Sequence, residues 1–235
     1  MDTTRKLVAE ALGTFFLCFA GIAAILSSTS PINSGAGLVG VAFAHGLALA
    51  IAINCFGGIS GGHHNPAVTL GFLATGRITP PLAVLYIVSQ LIGAIVAAAA
   101  CKAIFPAVVV DAAKLGIPLP PDLLAGEPVT VGVVLLAEFI MTFLLMTAIF
   151  GTAVDERGKA VKIGALAIGL TVTFDILAGG AVTGASMNPA RSFGPALVHQ
   201  FFGPLHWCYW AAPIAGAVVA ALLYEHLLLE KDGGN

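Results

Sequence analysis

Six apolar stretches, at about residues 7–28, 37–56, 82–104, 130–150, 162–180 and 205–229, take up most of this chain. A helix that crosses a bilayer needs about 20 mostly apolar residues, and each stretch meets that length. Of the 235 residues 58% are apolar and only 9% charged, whereas a soluble domain carries about a quarter charged residues. Too few polar side chains are available to cover a water-facing surface. The chain is therefore expected to be an all-α, multi-pass membrane protein with one transmembrane domain over residues 1–235. The first stretch contains Glu10 and is too long for a signal-peptide core, so it reads as a retained span. The net charge of −2 and the lack of a basic run give no reason to expect nucleic acid as a partner.

Lys and Arg set the orientation. Six spans put both termini on one side, together with Arg5, Lys6, Arg77, Arg157, Lys159, Lys162 and Lys231. The other side receives Lys102 and Lys114. The bias predicts cytoplasmic termini, in a membrane expected to be a prokaryotic-type plasma (inner) membrane. Cys18, Cys55, Cys101 and Cys208 all sit in or beside apolar runs without metal-ligand spacing, and read as buried thiols packing as small hydrophobes.

Two shorter apolar runs, about 66–76 and 189–200, cannot span. Each follows a polar, Gly-rich segment, Gly57 to His64 and Thr183 to Met187. Irregular backbone at membrane depth survives only inside protein or beside a water-filled cavity, so both are expected to be re-entrant half-helices. Each opens on Asn-Pro-Ala: Asn65, Pro66, Ala67 and Asn188, Pro189, Ala190. Asn caps helix N-termini and Pro favours the first helical position.

The halves repeat. Ala9-Glu10-Ala11-Leu12-Gly13-Thr14-Phe15 matches Ala137-Glu138-Phe139-Ile140-Met141-Thr142-Phe143, and the two Asn-Pro-Ala segments match each other. Repeat one covers about 7–104 and repeat two about 130–229, with 105–129 as linker. Three spans per half is an odd number, so the second half is inverted, which brings interrupted segments together near the midplane. Two helix N-termini then face one another. Each carries about half a positive charge and unpaired N–H groups, so water can accept hydrogen bonds there while a cation or proton meets a barrier.

These motifs, with Ser60-Gly61-Gly62-His63-His64-Asn65-Pro66-Ala67 and Gly184-Ala185-Ser186-Met187-Asn188-Pro189-Ala190-Arg191-Ser192-Phe193-Gly194-Pro195-Ala196, resemble those of the major intrinsic protein family, the aquaporins and aquaglyceroporins. The resemblance implies a right-handed bundle of six helices and two half-helices, a homotetramer with four pores, and passive diffusion. Ser192, Ala196 and the pair Tyr209-Trp210 point away from the glycerol branch. The family's four-residue selectivity filter falls on His45, Ile176, Ala185 and Arg191. His45 and Ile176 resemble the plant tonoplast intrinsic proteins, although residues 105–129 lack the loop histidine of the ammonia-conducting members. His45 is expected to make the opening more polar and Ile176 to remove a donor, giving a wider filter than in a strict water channel.

Glu10 and Glu138 are expected to brace the loops before the half-helices, helped by His63. His64 and Asp175 depart from the family pattern and are candidate modulators; Asp175 is expected to bond loop backbone or a nearby histidine. The reading is a passive channel for water, with ammonia, urea or hydrogen peroxide as further solutes. A glycerol facilitator, or an ion-coupled secondary transporter using Glu10, Glu138 and Asp175, is the alternative. No nucleophile–base pair, metal spacing or phosphate loop is visible, so no enzymatic reaction, cofactor or metal is expected. The expected partners are water, small neutral solutes and membrane lipid.

Overall fold

A computed structural model of the chain describes residues 2–29, 35 and 37–230; Lys231, counted above among the positive residues, lies outside them. In chain order the helices are α1 (Thr3–Thr29), α2 (Gly37–Ser60), α3 (Pro66–Ala74), α4 (Pro80–Ile104), α5 (Ala107–Ala112), α6 (Val131–Ile149), α7 (Glu156–Lys159), α8 (Gly164–Thr183), α9 (Pro189–His199) and α10 (Cys208–Leu223). A short hairpin of β1 (Leu123–Leu124) and β2 (Glu127–Pro128) lies in the linker. Six helices, counting the wider turns that extend α6 to Val154 and α10 to Leu228, are long and apolar enough to cross a membrane. Helix α2 runs on through Gly57–Ser60, so the irregular backbone before the first Asn-Pro-Ala is confined to residues 61–65.

The helices pack as two matched sets. Helix α1 packs on α2 and α4, α6 packs on α8 and α10, and α2 meets α8 across the middle. The half-helices exchange partners: α3 packs on α10, and α9 on α4. At the α2–α8 crossing Gly46 faces Gly169, and a Cβ on either would collide with the other's carbonyl oxygen. The two stand 123 positions apart, as do Asn65 and Asn188. Two small-residue ladders hold helices together within the chain. Gly93 lies on the Ala11 backbone of α1, and Gly216 on the backbone of Phe139 and Phe143 in α6. Without such residues the backbones could not approach closely enough to gain dispersion contacts in lipid, where no hydrophobic force drives helices together.

The two ends of the bundle differ as the charge count requires. At one end Lys102 Nζ donates to the Val198 carbonyl (3.0 Å) and Lys114 lies over the Phe201 ring. At the other, Arg77 pairs with Glu225 (2.7 Å), and Arg157 donates to Asp155, Glu230 and the Leu228 carbonyl. Hydrogen bonds from Arg157 hold the Asp155 carboxyl well below the usual carboxylate range. Large apolar side chains such as Val84, Ile92, Leu136 and Phe174 stand exposed around the outside, a surface suited to lipid rather than water. Cys18, Cys101 and Cys208 are buried, but Cys55 is exposed on α2, contrary to the expectation of four buried thiols. Helix α2 is apolar on every side, so its sequence carries no sign of which face is covered.

Candidate pore and filter

The two Asn-Pro-Ala segments meet inside the bundle. Asn65 and Asn188 have extended backbones (φ −157° and −148°), and each side-chain oxygen caps the helix that follows. Asn65 Oδ1 accepts from Ala67 N (2.8 Å); Asn188 Oδ1 accepts from Ala190 N (3.0 Å) and Arg191 N (3.3 Å). Each carboxamide also reaches across to the other half: Asn65 Nδ2 donates to the Met187 carbonyl (2.8 Å), and Asn188 Nδ2 to the His64 carbonyl (3.0 Å). An amide nitrogen carries two hydrogens, so one N–H of each Asn is left for the passage and the other locks the halves together.

Behind each loop sits a buried carboxylate. Glu10 accepts from Ser60 Oγ (2.6 Å), His63 N (3.0 Å), His64 N (2.7 Å) and Gln90 Nε2 (2.7 Å). Glu138 accepts from Thr183 Oγ1 (2.7 Å), Ser186 N (2.9 Å) and Met187 N (2.8 Å). These bonds stabilise an unusual backbone. Gly61, Gly62 and His64 have φ of 97°, 68° and 48°, and their counterparts 123 positions on, Gly184, Ala185 and Met187, have 82°, 43° and 53°. Left-handed conformation costs a non-glycine residue on the order of 1–3 kcal/mol, and the carboxylate bonds offset it. The strained turns present the His64 and Met187 carbonyls to the Asn side chain of the opposite half. His63 adds a bond from its ring to Thr69 Oγ1 (3.2 Å) and stacks on Phe72.

A cavity of about 190 Å³ runs past both Asn residues. A second, of about 280 Å³, opens beyond it toward Thr29 and Gly37. His45, Ile176 and Arg191 line both cavities and so form the partition between them; Ala185 lines the first. Three of the four residues expected at the filter are thus brought together at the partition, and the fourth, Ala185, lies on the wall of the first cavity. Val68, Ile53, Ile168 and Gly62 stand 123 positions before or after Arg191, Ile176, His45 and Ala185, and line the opposite arm of the first cavity. That arm is wholly uncharged.

The model of the major intrinsic protein family matches residues 1–224. The chain belongs to this family. It is 42% identical over 235 residues to a probable TIP-type aquaporin of Medicago truncatula, covering 98% of this chain and 89% of that one. It is 41% identical to aquaporin TIP4-4 of Zea mays (97% and 88% covered) and 39% identical to aquaporin-5 of Sus scrofa (97% and 82%). Among solved structures, the aquaglyceroporin from Plasmodium falciparum superposes with a TM-score of 0.84 at 21% identity, with 97% of each chain covered; at that identity the likeness is one of fold.

Several features of this major intrinsic protein were not legible in its sequence. Arg191 Nη1 donates to the Gly116 carbonyl (2.8 Å), so the linker supplies a group beside the filter. Lys114, Leu115 and Gly116 all have positive φ, and Leu115 is fully buried against α1; that anchor turns the carbonyl inward. Tyr86 donates to the Ser60 carbonyl (2.7 Å) and Tyr209 to the Thr183 carbonyl (2.5 Å), a further pair 123 positions apart. The repeat spacing is the signal that could have paired the two tyrosines; nothing in the sequence marks Gly116.

Two expectations need correction. His45 Nδ1 lies 2.8 Å from the Val41 carbonyl, and Nε2 is buried with no hydrogen-bond partner among the described residues. Nδ1 is turned to the Val41 carbonyl and Nε2 toward Gly21 on α1, so the polar contribution expected of His45 at the opening is not seen. Asp175 is buried on a face of α8 that does not line the cavity, its Oδ2 is unpartnered, and no bond joins it to a loop or a histidine among the described residues. The residue beside it, Ile176, takes the cavity face instead. The His64 ring is buried and lies 3.6 Å from Glu10.

Proposed function

We propose that this protein is a passive channel for water. The observation that carries the reading is the reciprocal bridge at mid-cavity: two opposed helix N-termini, each capped by an Asn that keeps one N–H for a passing water molecule. The opposed half-helix dipoles and Arg191 repel protons and cations, the general account of aquaporin-type selectivity. His45, Ile176, Ala185 and Arg191 act as the selectivity filter, and Glu10, Glu138 and His63 as loop braces. The division into residues 7–104 and 130–229 about the linker is supported by the matched bonds described above.

The solute range beyond water is ammonia, urea and hydrogen peroxide, supported by the aliphatic Ile176 and the small Ala185. The transporter alternative is disfavoured because Glu10, Glu138 and Asp175 are absent from the cavity wall, and the two glutamates accept four and three hydrogen bonds where they brace the loops. The chain is an integral, multi-pass membrane protein in contact with lipid. We infer a homotetramer from the family resemblance and cytoplasmic termini from the Lys and Arg bias; a tag on either terminus should be inaccessible to protease from outside intact cells. The plant and animal relatives give no support to the narrower expectation of a prokaryotic-type plasma membrane.

Stopped-flow shrinkage of proteoliposomes tests the function. A low activation energy and no saturation are expected, and saturable, ion-dependent flux would overturn the channel. No cysteine lines either cavity. Mercuric chloride is therefore expected to leave water flux within about twofold, and Ala185→Cys to confer block, because pore width at the constriction limits flux.

A further inference from the structure

Two glycines of α1 lie against imidazoles. A Cβ built at Gly21 would overlap Nε2, Cδ2 and Cε1 of His45, and one at Gly13 would overlap Cε1, Nδ1 and Nε2 of His64. The glycines are eight residues apart, which puts them on the same side of α1 and about 12 Å apart along its axis. Both histidines line the cavity, yet His45 Nε2 is buried without a hydrogen-bond partner among the described residues, and His64 turns Nδ1 toward Glu10 of α1 at 3.6 Å. The polar edges of the rings are tucked into the helix wall, and what keeps them there is the missing side chain.

The internal repeat supplies an independent comparison. The counterparts of Gly13 and Gly21, 128 positions on, are Met141 and Ile149. The counterparts of His64 and His45, 123 positions on, are Met187 and Ile168. All four are buried together in one apolar cluster. Glycine and histidine therefore occur as a pair in the first half and are replaced as a pair in the second. Where the wall has no recess, the pore carries no ring.

We propose that Gly21 is a positioning residue of the channel: it is the recess that holds the His45 ring out of the passage, as Gly13 does for His64 at the level of the Asn residues. The inference rests on the reading of the protein as a water channel with His45 at its filter. A ring denied the recess has few places to go. Its Nδ1 is held by the carbonyl of its own helix, and α1 is clamped between α2 and α4, where Gly93 meets the Ala11 backbone. The open direction is the passage, toward Arg191 and Ile176.

Water flux through purified protein in proteoliposomes tests this. Gly21→Ala is expected to lower water permeability at least about tenfold by crowding a packed, narrow site. His45→Ala widens the filter and is expected to conduct more than wild type. Gly21→Ala/His45→Ala is expected to match His45→Ala within about twofold, because the nearest atoms a Cβ would meet, all of them His45's, have been removed. A merely structural glycine would lower flux in both backgrounds. Should Gly21→Ala fail to assemble, recovery of folded protein on adding His45→Ala gives the same support, and failure to recover overturns the inference. Gly21→Ala conducting like wild type also overturns it. The wild-type chain, measured in parallel, separates the two readings: without water flux the channel reading falls and the inference with it, whereas a conducting wild type beside an indifferent Gly21→Ala sinks the inference alone.

Discussion

Glu10→Ala and Glu138→Ala should each abolish water permeability and lower the unfolding temperature in detergent. Each carboxylate accepts from two successive backbone N–H groups buried inside the bundle. A buried donor left unsatisfied costs about 1–3 kcal/mol. Two of them cost a large share of a total stability of about 5–15 kcal/mol. The left-handed residues His64, Ala185 and Met187 would lose the bonds that offset their strain, and the carbonyls they aim would turn away. Glu10→Ala should have the greater effect, because the Glu10 carboxylate also accepts from Gln90, whose counterpart in the second half is Pro213. Glutamine should rescue little, since its NH₂ would meet backbone donors. Water permeability and unfolding temperature, measured on the same preparations, check this. A Glu10→Gln channel that is stable and passes water, but has lost an ion-coupled uptake shown by the wild type, would revive the transporter alternative.

Arg191→Val should admit protons and small cations while leaving water flux within about threefold of wild type or above it, because the charge is lost and the shorter side chain widens the constriction. Arg191 is almost fully buried, and its counterpart in the first half is Val68, so the substitution makes the two arms of the passage alike. One unit charge about 4 Å from a permeant ion contributes about 4 kcal/mol at an effective dielectric constant of about 20. At about 1.4 kcal/mol per factor of ten, loss of that repulsion raises cation permeation by about a thousandfold; the two helix N-termini still oppose entry and keep the leak finite. A proteoliposome loaded with a pH-sensitive dye and given a potassium-diffusion potential reads the leak directly. An Arg191→Val channel as proton-tight as wild type would show that the half-helix dipoles alone make the barrier.

The spans, the half-helices and the bracing carboxylates were legible because each is encoded locally. A run of apolar residues long enough to cross a bilayer has few other uses, and Asn-Pro-Ala satisfies the first free N–H groups of its own helix. Charged residues such as Glu10 and Glu138 within such runs are costly, so their presence alone marks them for a partner. The repeat then said which pieces correspond. Helix ends moved by only a few residues, chiefly where α1 begins at Thr3, α2 runs on to Ser60 and wider turns carry α6 to Val154.

What the sequence by itself determined, then, is the set of membrane-crossing parts and the two capped helix starts that oppose each other, since these follow from length, composition and capping within a few residues. The tertiary structure decided how those parts face. It carried Gly116 to Arg191 from 75 positions away, kept both small-residue ladders inside one chain, left Cys55 outside, and turned the nitrogens of His45 toward Val41 and Gly21. The physical reason is that lipid is as apolar as the core. A membrane helix shows no amphipathic stripe to betray its buried face. Facing is set by where a missing side chain lets one helix, or one ring, come close to another.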